Sequence, residues 1–330
     1  MKKTMITGVQ PTGSFTLANY IGAIKNFVSL QYEHESYIFI ADLHGITSYQ
    51  DPQKIHNTIL DLAALYIACG VDAEHTNFFV QSDVNEHCAL GYLIAFQCRV
   101  GELSRMTQYK SKSEKMGSNG IDLGLFIYPT LMAADILLYD AAVVPVGDDQ
   151  RQHIEMTRDL GERFNKRYGE TFVLPDYYIP KVGARILNLQ NPMEKMSKSA
   201  PENDKGTIFI LDDIDITKKK IMSAITDNEN SIRFDMENKP GISNLIVLMS
   251  VVCDKDIQDI EKAYINTNYA VFKKDIAEAV GEFILKIQDK FNDYRNSDEL
   301  IRILENGKMT ASSVAEKKLL SVRNKMGIHK

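Results

Sequence analysis

The chain of 330 residues has no tryptophan and only four cysteines. No apolar run reaches the about 18 residues of a membrane-crossing helix, so no span is expected. Met1-Lys2-Lys3-Thr4-Met5-Ile6-Thr7-Gly8 passes straight into a strand-like segment without the long apolar core of a secretory leader, and a cytoplasmic protein is the expectation. Cys69, Cys88, Cys98 and Cys253 show no C-x-x-C spacing. That scatter fits small buried hydrophobes in a reducing compartment, not disulfides or a metal cage. A surplus of cations is missing too: the formal net charge is −6, which argues against a DNA-coating protein. Repeats and low-complexity tracts are absent. What remains, 44% hydrophobic and 25% charged residues, is ordinary globular composition, enough for one large domain and a smaller one.

The first half alternates strands and helices. Thr4 to Thr7 reads as a strand and runs into the turn Gly8-Val9-Gln10-Pro11-Thr12-Gly13. Leu17 to Leu30 has helical periodicity, with Ile21, Ile24, Phe27 and Val28 on one face. Tyr37 to Ala41 is a short apolar run of the kind buried in parallel sheets. Pro52 opens a helix that Gly70 stops, and Asn77 to Gln81 reads as the next strand. This β-α-β-α-β order implies an α/β fold with a parallel sheet. From Glu102 to Asp140 helices joined by a Gly/Ser/Lys loop, Lys110 to Gly120, read as an insertion between two halves of the sheet. Ala141 to Val146 is another buried strand, ending in Gly147-Asp148-Asp149-Gln150 and entering the amphipathic helix Arg151 to Phe164. Beyond about Leu211 only helices are expected: Lys218 to Thr226, Leu245 to Val252, Ile257 to Tyr264 and Val271 to Asn292. Asn306 to Lys330 carries six basic residues against Glu316 alone, a local charge of +5. A solvated helical end and a patch facing phosphates both fit that charge.

Three segments stand at or near predicted strand ends, where open parallel sheets collect ligands. In the first, Gly8 and Gly13 are followed by Ser14 and Phe15, where a P-loop needs Lys and Ser/Thr, which argues against a Walker ATPase. A turn followed by a helix start still presents free backbone N–H groups to an anion. In the second, Gly183-Ala184-Arg185-Ile186 precedes Lys195-Met196-Ser197-Lys198-Ser199. Two lysines with interleaved hydroxyls can neutralise a polyphosphate that gains charge as it leaves. The third is Asp135, a carboxylate in an apolar stretch beside Met132, with Val144 and Val146 on the adjoining strand. A carboxylate in such surroundings needs a partner, and a surface or capping role fits the sequence as well as a binding role.

Lys195 to Ser199 is an unaltered K-M-S-K-S, and in it the chain resembles the class I aminoacyl-tRNA synthetases. Thr16-Leu17-Ala18-Asn19 stands where that family has H-I-G-H. Gln10-Pro11-Thr12-Gly13, Gly101 to Gln108, Met132 to Tyr139 and Val144 to Gln150 resemble the bacterial tryptophanyl-tRNA synthetases specifically. The likeness continues more loosely through Lys239 to Leu245 and the helical end. Two positions depart from the pattern: Ala18 replaces the usual glycine, and Ile6 stands where an aromatic residue is common.

The resemblance implies a Rossmann-like catalytic domain over 1–210, with its helical insertion at about 102–140. A helical domain over 211–330 would read the anticodon, with the last helix able to pack back on the catalytic domain. It implies activation of L-tryptophan by ATP and transfer to tRNA(Trp), without DNA or membrane partners. The enzyme would be a homodimer joined through the insertion, and Mg²⁺ would enter with ATP instead of being held by protein ligands. Lys195 and Lys198 would draw on the leaving pyrophosphate, with Lys112 reaching it from the other side. Gln10, Thr16 and Asn19 would hold phosphate and ribose oxygens, with Pro11, Thr12 and Ala18 in the same ATP site. Gly147, Asp148 and Asp149 would contact the nucleoside; the Ile186 backbone would border adenine, and Met196, Ser197 and Ser199 complete the lysine loop. Asp135 would accept the indole N–H, a donor-only group. Ile6, Gly8, His44, Met132, Val144, Val146 and Gln150 would line the rest of the tryptophan pocket. The missing tryptophan suits an enzyme made when tryptophan is scarce. Three alternatives remain: a tyrosyl enzyme, which lacks this aspartate context; a small nucleotidyltransferase, which lacks the helical domain; and a non-catalytic paralogue.

Overall fold

The computed structural model describes residues 2–116, 120–178, 186–198, 200–201 and 203–328, and at 112, 115 and 116 the backbone alone. The strands β1 (Thr4–Val9), β2 (Glu35–Ile40), β3 (Thr76–Val80), β4 (Val143–Pro145) and β5 (Asp176–Tyr178) form one parallel sheet in the order β3-β2-β1-β4-β5. After Glu35, every residue of β2 is buried. Tyr37 and Phe39 enter one core layer, Ile38 and Ile40 the other, which is why the strand reads as a continuous apolar run. β5 is short and exposed throughout, so it carries no apolar signal and escaped the sequence reading. β1 pairs with both β2 and β4, making its C-terminal end the point where successive connections diverge and ligands collect.

Each connection follows from local chemistry. The first helix begins as α1 (Leu17–Asn19), loosens into a π turn at Tyr20–Ile24 and resumes as α2 (Lys25–Leu30). Such turns mark places where a helix bends around a site. α3 (Asp42–Gly45) follows β2. Asp51 caps α4 (Pro52–Ala68) by accepting from the Gln53 N–H, and Pro52 takes the first turn, where its missing N–H costs nothing. Gly70, at φ +110°, turns the chain out of the helix. α5 (Glu86–Ala95), α6 (Val100–Leu103), α7 (Thr107–Met116), α8 (Leu123–Leu137) and α9 (Arg151–Tyr168) complete the first half. The loop expected at Lys110 to Gly120 is helical as far as Met116, because a polar surface helix needs no apolar stripe to announce it. Cys69 is buried and Cys98 and Cys253 half-buried, but Cys88 on α5 is exposed, against the expectation of four buried thiols; all four are free.

α10 (Ile214–Met222), α11 (Pro240–Cys253), α12 (Ile257–Ala263), α13 (Tyr269–Arg295) and α14 (Asp298–Met326) make the second half. α13 packs on α4, α10 and α11. α14 begins in the core layer that holds Met5 and Ile38, through Leu300 and Leu304. It ends in the opposite layer, through Ala311, Ala315, Leu319 and Val322. Between the two it crosses β3, the edge strand, and hides that edge. Gly307 makes the crossing possible: a Cβ there would lie 2.0 Å from the Phe78 carbonyl oxygen. The basic end is therefore a packed helix with one wet face. Lys318 pairs with Asp140 at 2.6 Å, while Lys317, Arg323 and Lys325 are exposed.

Candidate active site

A cavity of about 420 Å³ opens at the C-terminal ends of β1, β2 and β4. Ile6, Gly8, His44, Met132, Asp135, Val144, Val146 and Gln150 all line it, so the eight residues expected to surround an amino acid are brought together. Tyr128, Met132, Asp135 and Ile136 reach it from α8 at helical spacing, one face of one helix. The π turn supplies Gly22 and Ala23. Gly8 faces Phe39 across the β1–β2 ladder, and a Cβ at Gly8 would lie 2.5 Å from the Phe39 ring, so glycine here makes room for an aromatic wall. That ring was not anticipated; it lies beside Ile6, where the family's aromatic is absent.

Asp135 is 2% exposed and accepts from three side-chain donors. One oxygen accepts from His44 Nε2 at 2.7 Å. The other accepts from Gln81 Nε2 at 2.8 Å and His87 Nδ1 at 2.6 Å. Burial alone would push this carboxyl up, but the hydrogen bonds and charge interactions of His44 and His87 outweigh it and hold it at about 2. A fixed anion in an apolar cavity selects a ligand with one well-placed N–H donor. Gln81 and His87 were missed. Gln81 directly follows β3, and the strand-end rule was signal enough to find it; nothing in the sequence marks His87. Tyr128, also missed, lines the cavity, and its hydroxyl lies 2.7 Å from His153 Nε2. Burial, with the nearby Asp149 charge, pushes that hydroxyl up to about 12.

A second cavity of about 530 Å³ adjoins the first and shares Val9, Gln10, Ala23 and Tyr66 with it. Gln10, Pro11, Thr12, Asn19 and Lys198 line it. Gly13, at φ +70°, brings the first loop against the lysine loop, where a Cβ would lie 3.1 Å from the Lys198 carbonyl. Lys198 Nζ donates to the Gln10 carbonyl at 3.1 Å, and burial pulls its ammonium below the usual lysine range. Both carboxylates in this wall are already paired, Asp61 with Arg295 and Asp212 with Lys220. Among the described residues no cluster of three or more histidine, cysteine or carboxylate side chains could hold a metal ion.

Other expected nucleotide residues sit in or beside the cavities. Thr16 is fully buried, and its hydroxyl donates to Asn19 Oδ1 at 2.9 Å in a capping box, so it shapes the loop through Asn19. Ala18 turns its methyl toward the core that packs on α4. Gly147 lines the first cavity. Asp149 accepts from Gln108 at 3.0 Å and Gln150 at 2.8 Å, aiming both amides, while Asp148 is exposed. Ile186 is buried and accepts from the Met196 N–H at 3.1 Å, closing the base of the lysine loop. The buried Asn244 holds the next residue, Leu187, by both its N–H and its carbonyl, tying the helix that carries Lys239 to Leu245 to the base of the lysine loop. Lys195 and Ser197 are exposed. Gly183 to Arg185, Ser199 and the Lys112 side chain lie outside the described residues.

The pattern of the family described as tRNA synthetases class I (W and Y) matches residues 2–284. A tryptophan–tRNA ligase of Bacillus anthracis is 51% identical over 324 residues, 98% of each chain. The tryptophanyl-tRNA synthetase of Mycoplasma pneumoniae superposes with a TM-score of 0.88 at 35% identity, covering 100% of this chain and 99% of that one. The Campylobacter jejuni enzyme, solved with ADP and tryptophan, superposes with a TM-score of 0.85 at 32% identity, covering 98% and 99%. Full-length likeness at this level, on a sheet whose strand ends carry both the apolar carboxylate cavity and the lysine loop, places the chain among the class I tRNA synthetases of the tryptophan and tyrosine group, in the tryptophanyl branch.

Proposed function

We propose that the chain activates L-tryptophan with ATP, forming tryptophanyl-adenylate and pyrophosphate, and then esterifies the 3′ end of tRNA(Trp). The carrying observation is the single carboxylate, Asp135, in a mostly apolar cavity that adjoins a cationic loop. The indole N–H donates to Asp135, between walls formed by Ile6, Met132, Val144 and Val146. Gln150 and Tyr128, at the cavity's polar end, orient the amino and carboxylate groups so that a carboxylate oxygen reaches the α-phosphorus. No protein nucleophile is required; positioning and charge stabilisation supply the rate. As the β–γ pyrophosphate separates, Lys198 exchanges its carbonyl partner for phosphate oxygens, and Lys195 and Lys112 join it. Gln10, Asn19 and Gly147 hold the nucleotide. Magnesium comes as Mg·ATP: the phosphate-side wall offers amides and the Lys198 ammonium, and its two carboxylates are spoken for.

Two copies join through an apolar face of α5, α6 and α8. Tyr92, Phe96, Val100 and Leu123 there are 70%, 61%, 73% and 68% exposed, large apolar side chains of the kind that a partner covers. The wet face of α14 lies toward tRNA phosphates. The test is ATP–pyrophosphate exchange across a panel of amino acids. Tryptophan should exceed tyrosine and phenylalanine by on the order of 100-fold or more, since a buried acceptor left unpaired rejects them. Equal exchange with tyrosine would overturn the substrate, and none with any amino acid would favour a non-catalytic paralogue.

A further inference from the structure

His44 and Asp135 line the cavity, whereas Gln81 and His87 stand behind it. Both nevertheless end on the same carboxylate. Oδ1 of Asp135 accepts from Gln81 Nε2 at 2.8 Å and from His87 Nδ1 at 2.6 Å. Oδ2 accepts from His44 Nε2 at 2.7 Å. A carboxylate has about four lone-pair positions, two on each oxygen. Two are filled from behind and one from the side, which leaves one, on Oδ2.

The rear donors are themselves held. His87 has no exposed surface, and its Nε2 lies 2.9 Å from the Tyr139 hydroxyl. Burial and the Asp135 charge push that hydroxyl far up, so it stays protonated. The ionised Asp135 can only accept, so His87 Nδ1 carries a proton and donates to it, and the Tyr139 contact at Nε2 fixes the ring's orientation. Gln81, also without exposed surface, has no hydrogen-bond partner for its Oε1 among the described residues. Turning the amide would aim oxygen at an anion. The side chain therefore keeps an orphan acceptor in order to donate to Asp135, where a glutamine serving packing alone would satisfy both ends.

We propose that Gln81 and His87 are positioning residues that fill both lone pairs of Asp135 Oδ1, leaving one acceptor position, on Oδ2, matched to the single N–H of an indole ring. The proposal rests on the reading of this cavity as a tryptophan site. The specificity of the carboxylate then comes down to three resident donors and one remaining acceptor position for a fourth.

Because the chain has no tryptophan, bound indole-¹⁵N-tryptophan supplies the only indole signal in a proton–nitrogen spectrum. His87→Leu and Gln81→Met should move the bound indole proton toward its free position and raise the tryptophan KM by on the order of 10-fold or more, the scale of a weakened bond to a charged acceptor. The KM for ATP should stay within about threefold, as a single point of contact with the amino acid implies. Preference for tryptophan over its analogue with sulfur in place of the ring nitrogen should shrink in step. His87→Asn, whose amide places a donor near the Nδ1 position, should recover most of the loss. If the Leu and Met variants keep the indole shift and the preference, the positioning roles are wrong; should His87→Leu fail to fold, Gln81→Met and His87→Asn still decide. Asp135→Asn separates the two levels. If it also keeps the preference, the tryptophan reading falls; if it alone loses it, only the roles of Gln81 and His87 fall.

Discussion

The two cavities at the strand ends share a wall, yet their polar groups are held in opposite ways. On the amino-acid side the acceptor is locked: Asp135 is buried, three side chains donate to it, and Tyr139 stands behind His87. On the phosphate side the donor is lightly tied. Lys198 bonds one neutral carbonyl, from a loop whose other lysine faces solvent. Selecting a substrate rewards a group that cannot move, because every alternative geometry must be costly. Stabilising a leaving group rewards one that can change partners, because the charge it meets grows during the reaction.

Breaking the locked side should have the largest effect. Asp135→Ala strands three buried donors, and losing one partner of such a group costs about 3–5 kcal/mol of stability. Calorimetry should show a lowered Tm, and exchange assays should show tryptophan and its sulfur analogue used alike. A normal Tm with normal preference would mean the carboxylate is idle. The same lock predicts a flat pH response. The folded-state pKa, about 2, lies below the usual carboxylate value of about 3.9, so this stabilisation is complete above about pH 4 and lost only as pH falls through about 2. The tryptophan KM should therefore hold steady between about pH 5 and 8; an acid-side rise would show that the donors do not keep Asp135 ionised.

Lys198→Ala breaks the other side. It should lower kcat by about 2.7–4 kcal/mol equivalent, with little change in tryptophan affinity. If the ATP KM rises and kcat holds, Lys198 serves ground-state binding and the contrast between the sides is lost. Gly307→Val sharpens the contrast from a distance. The new side chain would meet the Phe78 backbone, costing about 1–3 kcal/mol by overpacking. Since β3 leads into Gln81 and α14 also packs on the His87 helix, tryptophan KM should rise while ATP KM stays put. Equal change in both would mean that α14 supports the whole crevice. The smallest effect belongs to Ala18→Gly. Its methyl faces the core, so restoring the family glycine should leave ATP KM unchanged and cost at most about 1 kcal/mol of helix stability in a denaturation curve. A marked gain in ATP affinity would place that methyl against the nucleotide instead.

Much of this was legible along the chain. The strand–helix alternation, the caps at Asp51 and Pro52, the stop at Gly70 and the lysine loop are local patterns, each written within a few residues. The amino-acid cavity was legible by resemblance, and its eight expected residues do share one space. The basic end was legible as charge but not as packing, since only the fold shows Leu319 and Val322 turned inward beside Lys318.

Sequence by itself determined four of the sheet's five strands, the family resemblance and the chemical types at the site, because periodicity, capping and motifs act over short separations. Tertiary structure alone decided which partners those groups would have. His44, Gln81 and His87 lie 91, 54 and 48 residues from Asp135, and no local rule reaches that far. Burial then gave those contacts their force: in a low-dielectric interior a carboxylate is kept charged only by the donors that the fold delivers to it.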